Sequence, residues 1–316
     1  MKKIRLIVIA VIIVITGAMT AVYMHIPKPI AKTTSAVKPK TELTFAVLGD
    51  VHNRIDNLQR AINDLYTINP IMDALILNGD TVDQGVDRQY ASVKSTLNRN
   101  KALLPKTIIK NIGNHEFFDY SIGRNSPKQV KTFINKYLEF SGEKKVYHDK
   151  WIKGYHFISL GSEDGKSKTT NSTEASISDI QLNWLNEKLA QNYQRGKPIF
   201  VFLHQNLKPF WNWVGVKQSE KVNDILSKYP EVILFTSHTH ADIDAGSVVL
   251  NQPFTMVHVP ALQYTLEPEV RSGVIVGINK KQYIKGLYVE VNGNTVIIKG
   301  RDIKEKQWIF TRKISN

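Results

Sequence analysis

The 316-residue chain contains no cysteine. That absence excludes disulfides, thiolate metal sites and cysteine nucleophiles together, so any metal must be held by His, Asp, Glu or Asn. Acidic residues are also scarce: 28 Asp and Glu stand against 42 Lys and Arg, a net charge of +14. Such a surplus favours anionic surroundings such as phosphate polymers, anionic lipid or nucleic acid. The lysines are scattered, however, and no nucleic-acid-binding motif is present, so a lysine-rich surface is the simpler reading and no specific nucleic acid is expected. There is no internal repeat. With 42% hydrophobic residues, the chain can bury a sizeable core in one large domain.

Lys2, Lys3 and Arg5 precede an uncharged run from Leu6 to Met24, long enough to span a bilayer and longer than the usual core of a secretory signal. Ala18, Thr20 and Ala21 make a poor cleavage site, and a lipid-modified one would need cysteine. Residues 1–24 therefore read as an uncleaved membrane anchor, with a cleaved signal as the alternative. The basic residues would stay in the cytoplasm, placing the remainder outside it, at the cell membrane or secreted. Residues 25–42 hold Pro27, Pro29 and Pro39 among Lys28, Lys32, Lys38 and Lys40. This composition predicts an extended tether whose lysines lie near anionic headgroups or surface polymers.

From residue 43 a motif recurs: an apolar strand, a polar tip, a helix. Leu43–Leu48 stops at Gly49-Asp50-Val51-His52, and a helix follows with Leu58, Ile62, Leu65 and Ile68 in phase. Ala74–Leu77 stops at Asn78-Gly79-Asp80, and a second helix is expected over about 87–104. Thr107–Ile112 stops at Gly113-Asn114-His115-Glu116. Further on, Pro127–Phe140 reads as a helix, Val146–Leu160 as strands broken at Lys153-Gly154, and 161–176 as a loop with potential for motion. Ser178 and Gln181 make a capping-box pattern. Pro198–Leu203 and Val232–Thr236 are strands ending at His204 and at Ser237-His238-Thr239-His240, and the remainder is β-rich with a hairpin at Asn292-Gly293-Asn294. Such alternation predicts an α/β layered fold with its site at the carboxyl ends of the strands.

Five strand ends thus carry chemistry, and five of the nine histidines fall there. Imidazoles and carboxylates brought together need a cation or extensive pairing. The ordered series Asp50-Val51-His52, Gly79-Asp80, Gly113-Asn114-His115-Glu116, His204 and His238-Thr239-His240 resembles the calcineurin-like metallophosphoesterase superfamily, and is more similar to its class III cyclic-nucleotide phosphodiesterase branch than to its protein phosphatases. The resemblance implies a four-layer α-β-β-α sandwich of two mixed sheets flanked by helices. It implies one divalent metal held by Asp50, His52 and His240, a second by Asn114, His204 and His238, and Asp80 bridging them. Oxygen and imidazole donors suit Mn, Fe or Zn. It also implies a phosphoester hydrolase whose nucleophile is a metal-bridging hydroxide, with His115 facing the leaving oxygen as an imidazolium, Asp83 orienting it and Glu116 supporting a ligand from behind.

Two positions depart from the family pattern. Gln84 stands where protein phosphatases of the superfamily have an arginine that grips phosphate, and Ser237 stands where the last motif usually has glycine, a strain if the position needs positive φ. Phe117, Phe118, Tyr120, Phe210, Trp211 and Trp213 flank the ligand positions. They are expected either to line a pocket for the organic part of a small-molecule phosphoester or to pack a loop against the sheet. Together with Gln84 they suit a singly charged phosphodiester or nucleotide. The alternatives are a phosphomonoester at the cell surface and an anchored binding module without turnover.

Overall fold

In a computed structural model, residues 41–207, 215–251, 253–272 and 274–315 are described. The anchor at 1–24, nearly all of the tether at 25–42, and Phe210, Trp211 and Trp213 lie outside them. Among the described residues no helix is long and apolar enough to cross a membrane.

β1 (Leu43–Leu48) shows how the layers arise. All six side chains are buried, but alternately: Leu43, Phe45 and Val47 enter one core, Ala46 and Leu48 another. A strand dry on both faces needs a layer on each. β2 (Ala74–Asn78) repeats the pattern, with Ala74 and Ile76 on one side and Leu75 and Leu77 on the other. β1 pairs in parallel with β2, and β2 pairs in parallel with β3 (Thr107–Asn111). An antiparallel run of β12 (Lys285–Asn292), β13 (Thr295–Asp302) and β14 (Gln307–Ser315) extends the other edge of β1, giving the order β14-β13-β12-β1-β2-β3.

The second sheet is also mixed. Its order is β4 (His148–Ile152), β5 (Tyr155–Ser159), β6 (Ile199–Phe202), β7 (Val232–Thr236), β9 (Thr255–His258) and β8 (Val248–Val249), with β5, β6, β7 and β9 parallel. Phe200, Phe202, Ile233 and Phe235 face the first sheet, whereas Ile199, Val201, Val232 and Leu234 face away. Phe45 sits among the inward aromatics, edge-on to Phe157 at 5.1 Å and to Phe200 at 4.9 Å. Truncating such a ring costs roughly 3–5 kcal/mol.

Three helices cover the outer face of the first sheet: α1 (Ile55–Ile68), α2 (Asp87–Arg99) and α3 (Pro127–Ser141). The second sheet is covered by α4 (Asp179–Ala190) and α5 (Ser219–Leu226). The order is helix, sheet, sheet, helix. A buried pair ties α1 to β13, where Arg301 donates to both carboxylate oxygens of Asp64 at 2.8 and 2.7 Å. α3 carries a complete capping box between Ser126 and Gln129 and ends on Gly142 in the left-handed conformation.

Local expectations differ from this structure in three places. α2 stops at Arg99 rather than near Leu104, because the Asn100 amide takes the Thr96 carbonyl (2.8 Å) and bonds Gln59. Ser178 accepts from the Gln181 amide N–H, but the Gln181 side chain turns away to both backbone groups of Gly161, leaving half a capping box. The loop at 161–176 is fastened rather than loose: the Asp164 carboxylate accepts from Ser167, Thr169 and Thr170 hydroxyls and from the Gly165 amide.

Candidate metal centre

Parallel strands deliver their carboxyl ends to one edge. Asp50, Asp80, Asn114, His204 and His238 each follow a strand there, and His52, His115 and His240 lie one or two residues beyond. The turns are tight. Asp50, His52, Asp80, His238 and His240 all adopt positive φ, between 45° and 72°. For non-glycine residues this costs roughly 1–3 kcal/mol each and persists only where surroundings fix it. Backbone bonds between the loops do so: His52 N–H donates to the Asp80 carbonyl (2.8 Å), and Gln263 N–H to that of Asp50 (3.1 Å).

Two glycines have distinct duties. Gly79 has φ +85° and lies against the His204 ring. Gly113 needs no positive φ. It is there because a Cβ would stand 2.2 Å from Asp80 Oδ1 and 2.5 Å from Asp80 N. Ser237 is unstrained, since its φ is not positive, and its hydroxyl accepts from Asn78 Nδ2 at 2.9 Å.

The ligand-capable atoms form three overlapping groups, Asp50 with His52 and His240, Asp80 with His204 and His238, and His52 with Asp80 and His115, the atoms of each within 4.8 Å of one another; the first two match the sets expected to hold metal. His240 Nε2 lies 3.2 Å from His52 Nε2 and 3.3 Å from Asp50 Oδ1. Asp80 Oδ2 lies 3.1 Å from His204 Nε2 and 3.6 Å from His52 Nε2, so one oxygen faces both groups. Its other oxygen is taken by the His115 amide at 2.8 Å. Sharing thus falls to a single carboxylate oxygen, not to one oxygen per group.

Protons on the outer nitrogens direct the inner ones. His204 Nδ1–H donates to the Asn78 carbonyl (2.8 Å) and His240 Nδ1–H to that of Tyr264 (3.0 Å), leaving each Nε2 lone pair facing inward. Asn114 Nδ2 donates to the Ser172 carbonyl (3.0 Å), which turns Oδ1 the same way. Asp50 Oδ1, His204 Nε2 and Asn114 Oδ1 are buried and have no hydrogen-bond partner. Asp50 Oδ1 and His204 Nε2 meet members of these sets, His240 at 3.3 Å and Asp80 at 3.1 Å, and oxygen and imidazole donors so clustered fit divalent cations.

The same side chains act strongly on one another's charge. Burial opposes ionisation of Asp50, yet His240 and His204 hold its carboxyl well below the usual range. Burial likewise opposes charge on the imidazoles, but the carboxylates raise His52 to about 10 and His204 to about 9. Burial and the neighbouring His204 push His238 down to about 3. Cations would take the place of the protons on His52 and His204. Glu116 lies behind, accepting from the amides of Gly113 (2.7 Å), Thr81 (2.8 Å) and Asp80 (3.1 Å); burial and the charge of Asp80 push it up to about 7.

His115 and Asp83 differ from expectation. His115 Nδ1 bonds the backbone carbonyl of Asp83 at 2.9 Å, while the carboxylate stands off at 3.6 Å. Burial lowers the His115 pKa from its ordinary value, and Asp80 acts against that shift. Gln84 accepts from the Tyr120 amide (2.9 Å) and so holds the 118–120 turn. An open cleft of about 380 Å³ lies over the centre, lined by His115, Asp83, Phe118 and Tyr120 from the expected set. Phe117 is fully buried in the core beneath Gly165 and lines nothing. Ser172, Thr173, Gln263, Tyr264 and Lys280 also line the cleft. No motif marks them; the weak signal was the Ser- and Thr-rich composition of the 161–176 loop.

The profile of the calcineurin-like phosphoesterase domain matches residues 43–242. The chain belongs to that family. A protein described as a probable cyclic nucleotide phosphodiesterase, from Rhodococcus erythropolis, is 24% identical to this phosphoesterase over 149 residues, 45% of the chain and 43% of that protein. The chain therefore spans less than half the length of that relative. Among solved structures, a dimetal phosphatase from Danio rerio is similar at a TM-score of 0.57 and 14% identity, over 87% of this chain and 99% of that one. A purple acid phosphatase from yellow lupin seeds gives 0.58 and 13%, over 86% and 53%. The anchor in the inner membrane complex of Plasmodium gives 0.58 and 12%, over 86% and 88%. At these identities the likeness is one of fold, which hosts more than one role.

Proposed function

We propose that this phosphoesterase hydrolyses a small phosphodiester or nucleotide outside the cytoplasm, using two divalent ions held by Asp50, His52 and His240 and by Asn114, His204 and His238, with Asp80 shared. The observation that carries the reading is Asp80 Oδ2, which faces both histidine groups beside a cleft that opens onto His115. When bound, Mn, Fe or Zn ions would supply Lewis-acid polarisation of the phosphoryl group and a more acidic water.

The side chains account for the proton. Because His115 Nδ1–H is committed to the Asp83 carbonyl, its Nε2 carries a lone pair. A proton taken from solvent onto that nitrogen passes to the leaving oxygen as the old P–O bond breaks, while the proton that the attacking water loses goes to solvent. Asp83 is a positioning residue in this scheme, acting through its carbonyl and, by the Tyr120 hydroxyl at 3.1 Å on its carboxylate, through the cleft wall. The neutral aromatic rim of Phe118 and Tyr120 and the absence of arginine at Gln84 support a singly charged diester over a dianionic monoester, as does the description of the Rhodococcus relative. The uncharged run after Lys2, Lys3 and Arg5 supports an extracytoplasmic setting at the membrane.

Hydrolysis of bis-p-nitrophenyl phosphate and p-nitrophenyl phosphate by the Mn-loaded full chain tests the reaction. Faster turnover of the diester is expected. Activity on the monoester alone would remove the diesterase assignment, and inactivity on both would overturn the proposed reaction. His115→Ala should keep its metal and lose rate by roughly 10²–10⁴-fold. Protein that begins near Ala21 and appears in the medium would replace the anchor with a cleaved signal.

A further inference from the structure

Among the described residues that line the cleft, Lys280 is the sole lysine or arginine. Gln84, at the position where an arginine would grip phosphate, is turned to the Tyr120 amide instead. Lys280 comes from a separate hairpin, β10 (Thr265–Arg271) and β11 (Val274–Lys281). Its placement there is fixed through His240. The Leu266 amide donates to the His240 carbonyl at 2.7 Å, and Leu266 pairs directly with Lys280 across the hairpin. Tyr264, whose carbonyl takes the His240 Nδ1–H, also lays its ring on the His240 ring at 4.3 Å. The Lys280 ammonium stands 3.6 Å from the centroid of that same tyrosine ring. Tyr264 thus links the His240 imidazole and the Lys280 ammonium through one ring.

We propose that Lys280 is the cation that grips the phosphoryl group in this cleft, delivered from the hairpin in place of the arginine that position 84 lacks. The inference rests on the proposed reaction. The ammonium makes no ion pair among the described residues, so its charge is uncommitted beyond the tyrosine face. Its three donors on a flexible stem suit a non-bridging phosphoryl oxygen. Being exposed, it acts through a screened field and a charge-assisted hydrogen bond, and so in substrate binding more than in the chemical step. Phe118 and Tyr120, which carry neither contact, are the aromatic groups placed to hold the organic part.

The test uses the Mn-loaded full chain in detergent, with bis-p-nitrophenyl phosphate as substrate and inorganic phosphate as ligand. Lys280→Gln should raise KM and weaken phosphate binding roughly tenfold, with kcat within about twofold and metal content unchanged. The fall of kcat/KM with salt should flatten in this variant, a change that a merely structural lysine would not produce. Lys280→Arg should restore KM, and Lys281→Gln, next along the strand, should match the native protein. An unchanged KM and phosphate affinity in Lys280→Gln, or a loss of metal from it, overturns the proposal. Calorimetry of phosphate binding needs no turnover. A native protein inactive on every ester whose phosphate affinity still falls with Lys280→Gln would overturn the reaction and keep the clamp. If Lys280→Gln misfolds, Lys280→Met, which preserves the aliphatic stem over Tyr264, decides by the same two affinities.

Discussion

Gly113→Ala adds one methyl group at the point where the first sheet meets the proposed metal centre. The new Cβ would lie 2.2 Å from Asp80 Oδ1, 2.5 Å from Asp80 N and 2.9 Å from His204 Cδ2. None of these atoms retreats easily. Asp80 Oδ1 is held by the His115 amide, Asp80 N by the Glu116 carboxylate, and His204 by the Asn78 carbonyl. The strain must be relieved by moving Asp80 or the strand, an overpacking that costs roughly 1–3 kcal/mol. For a domain of this size that corresponds to a fall in Tm of about 2–12 °C. A shift of a few tenths of an ångström in a shared carboxylate should also weaken metal binding about 10–100-fold. Thermal unfolding by circular dichroism with and without Mn, alongside metal titration, measures both. Gly123→Ala is the control, since nothing lies within 4 Å of a Cβ there and its φ is not positive. A Gly113→Ala protein with native Tm and native metal affinity would refute the close approach of Gly113 to Asp80.

Two further outcomes follow from the buried charges. In EDTA, His52 and His204 with folded pKa values of about 10 and about 9 contribute stability that is fully present below their unfolded value near 6.5 and is lost as pH rises through 9 to 10. The metal-free Tm should thus fall between about pH 7 and 10, and Mn should remove the trend by occupying the same lone pairs; a metal-free Tm that climbs over this range contradicts the charge pattern. Asp64→Ala leaves the Arg301 guanidinium buried without its carboxylate and should cost about 3–5 kcal/mol in urea unfolding, whereas a loss under 1 kcal/mol would mean the pair is solvated.

Much of this was legible in the sequence because strand ends are local. The apolar run at 43–48 ends in Gly-Asp, and β1 stops there. The same holds for β2 and β7, whose runs are bounded by polar tips. The candidate metal groups were legible because each strand carries its own chemistry to a common edge. What escaped depends on long-range contact. Ser172 reaches Asn114 across 58 residues, and Tyr264 reaches His240 across 24, with no spacing rule to announce either. Phe117 and Phe118 are adjacent in the chain, yet the short helix at His115–Phe117 sends one into the core and the other to the cleft. The duty of Gly113 is invisible in sequence because a tight turn and a close approach both select glycine. Asp83 meets His115 through its carbonyl, which any residue has, so its identity does not announce the contact.

The most direct measurement is metal content. The full chain loaded with Mn, freed of excess ion and analysed by mass spectrometry of the metal, should hold two ions per chain, one for each group that meets at Asp80. Asp80→Ala should lose metal, and His115→Ala should keep both ions. A native chain that binds fewer than two, or an Asp80→Ala protein that still binds two, would contradict a shared two-metal centre.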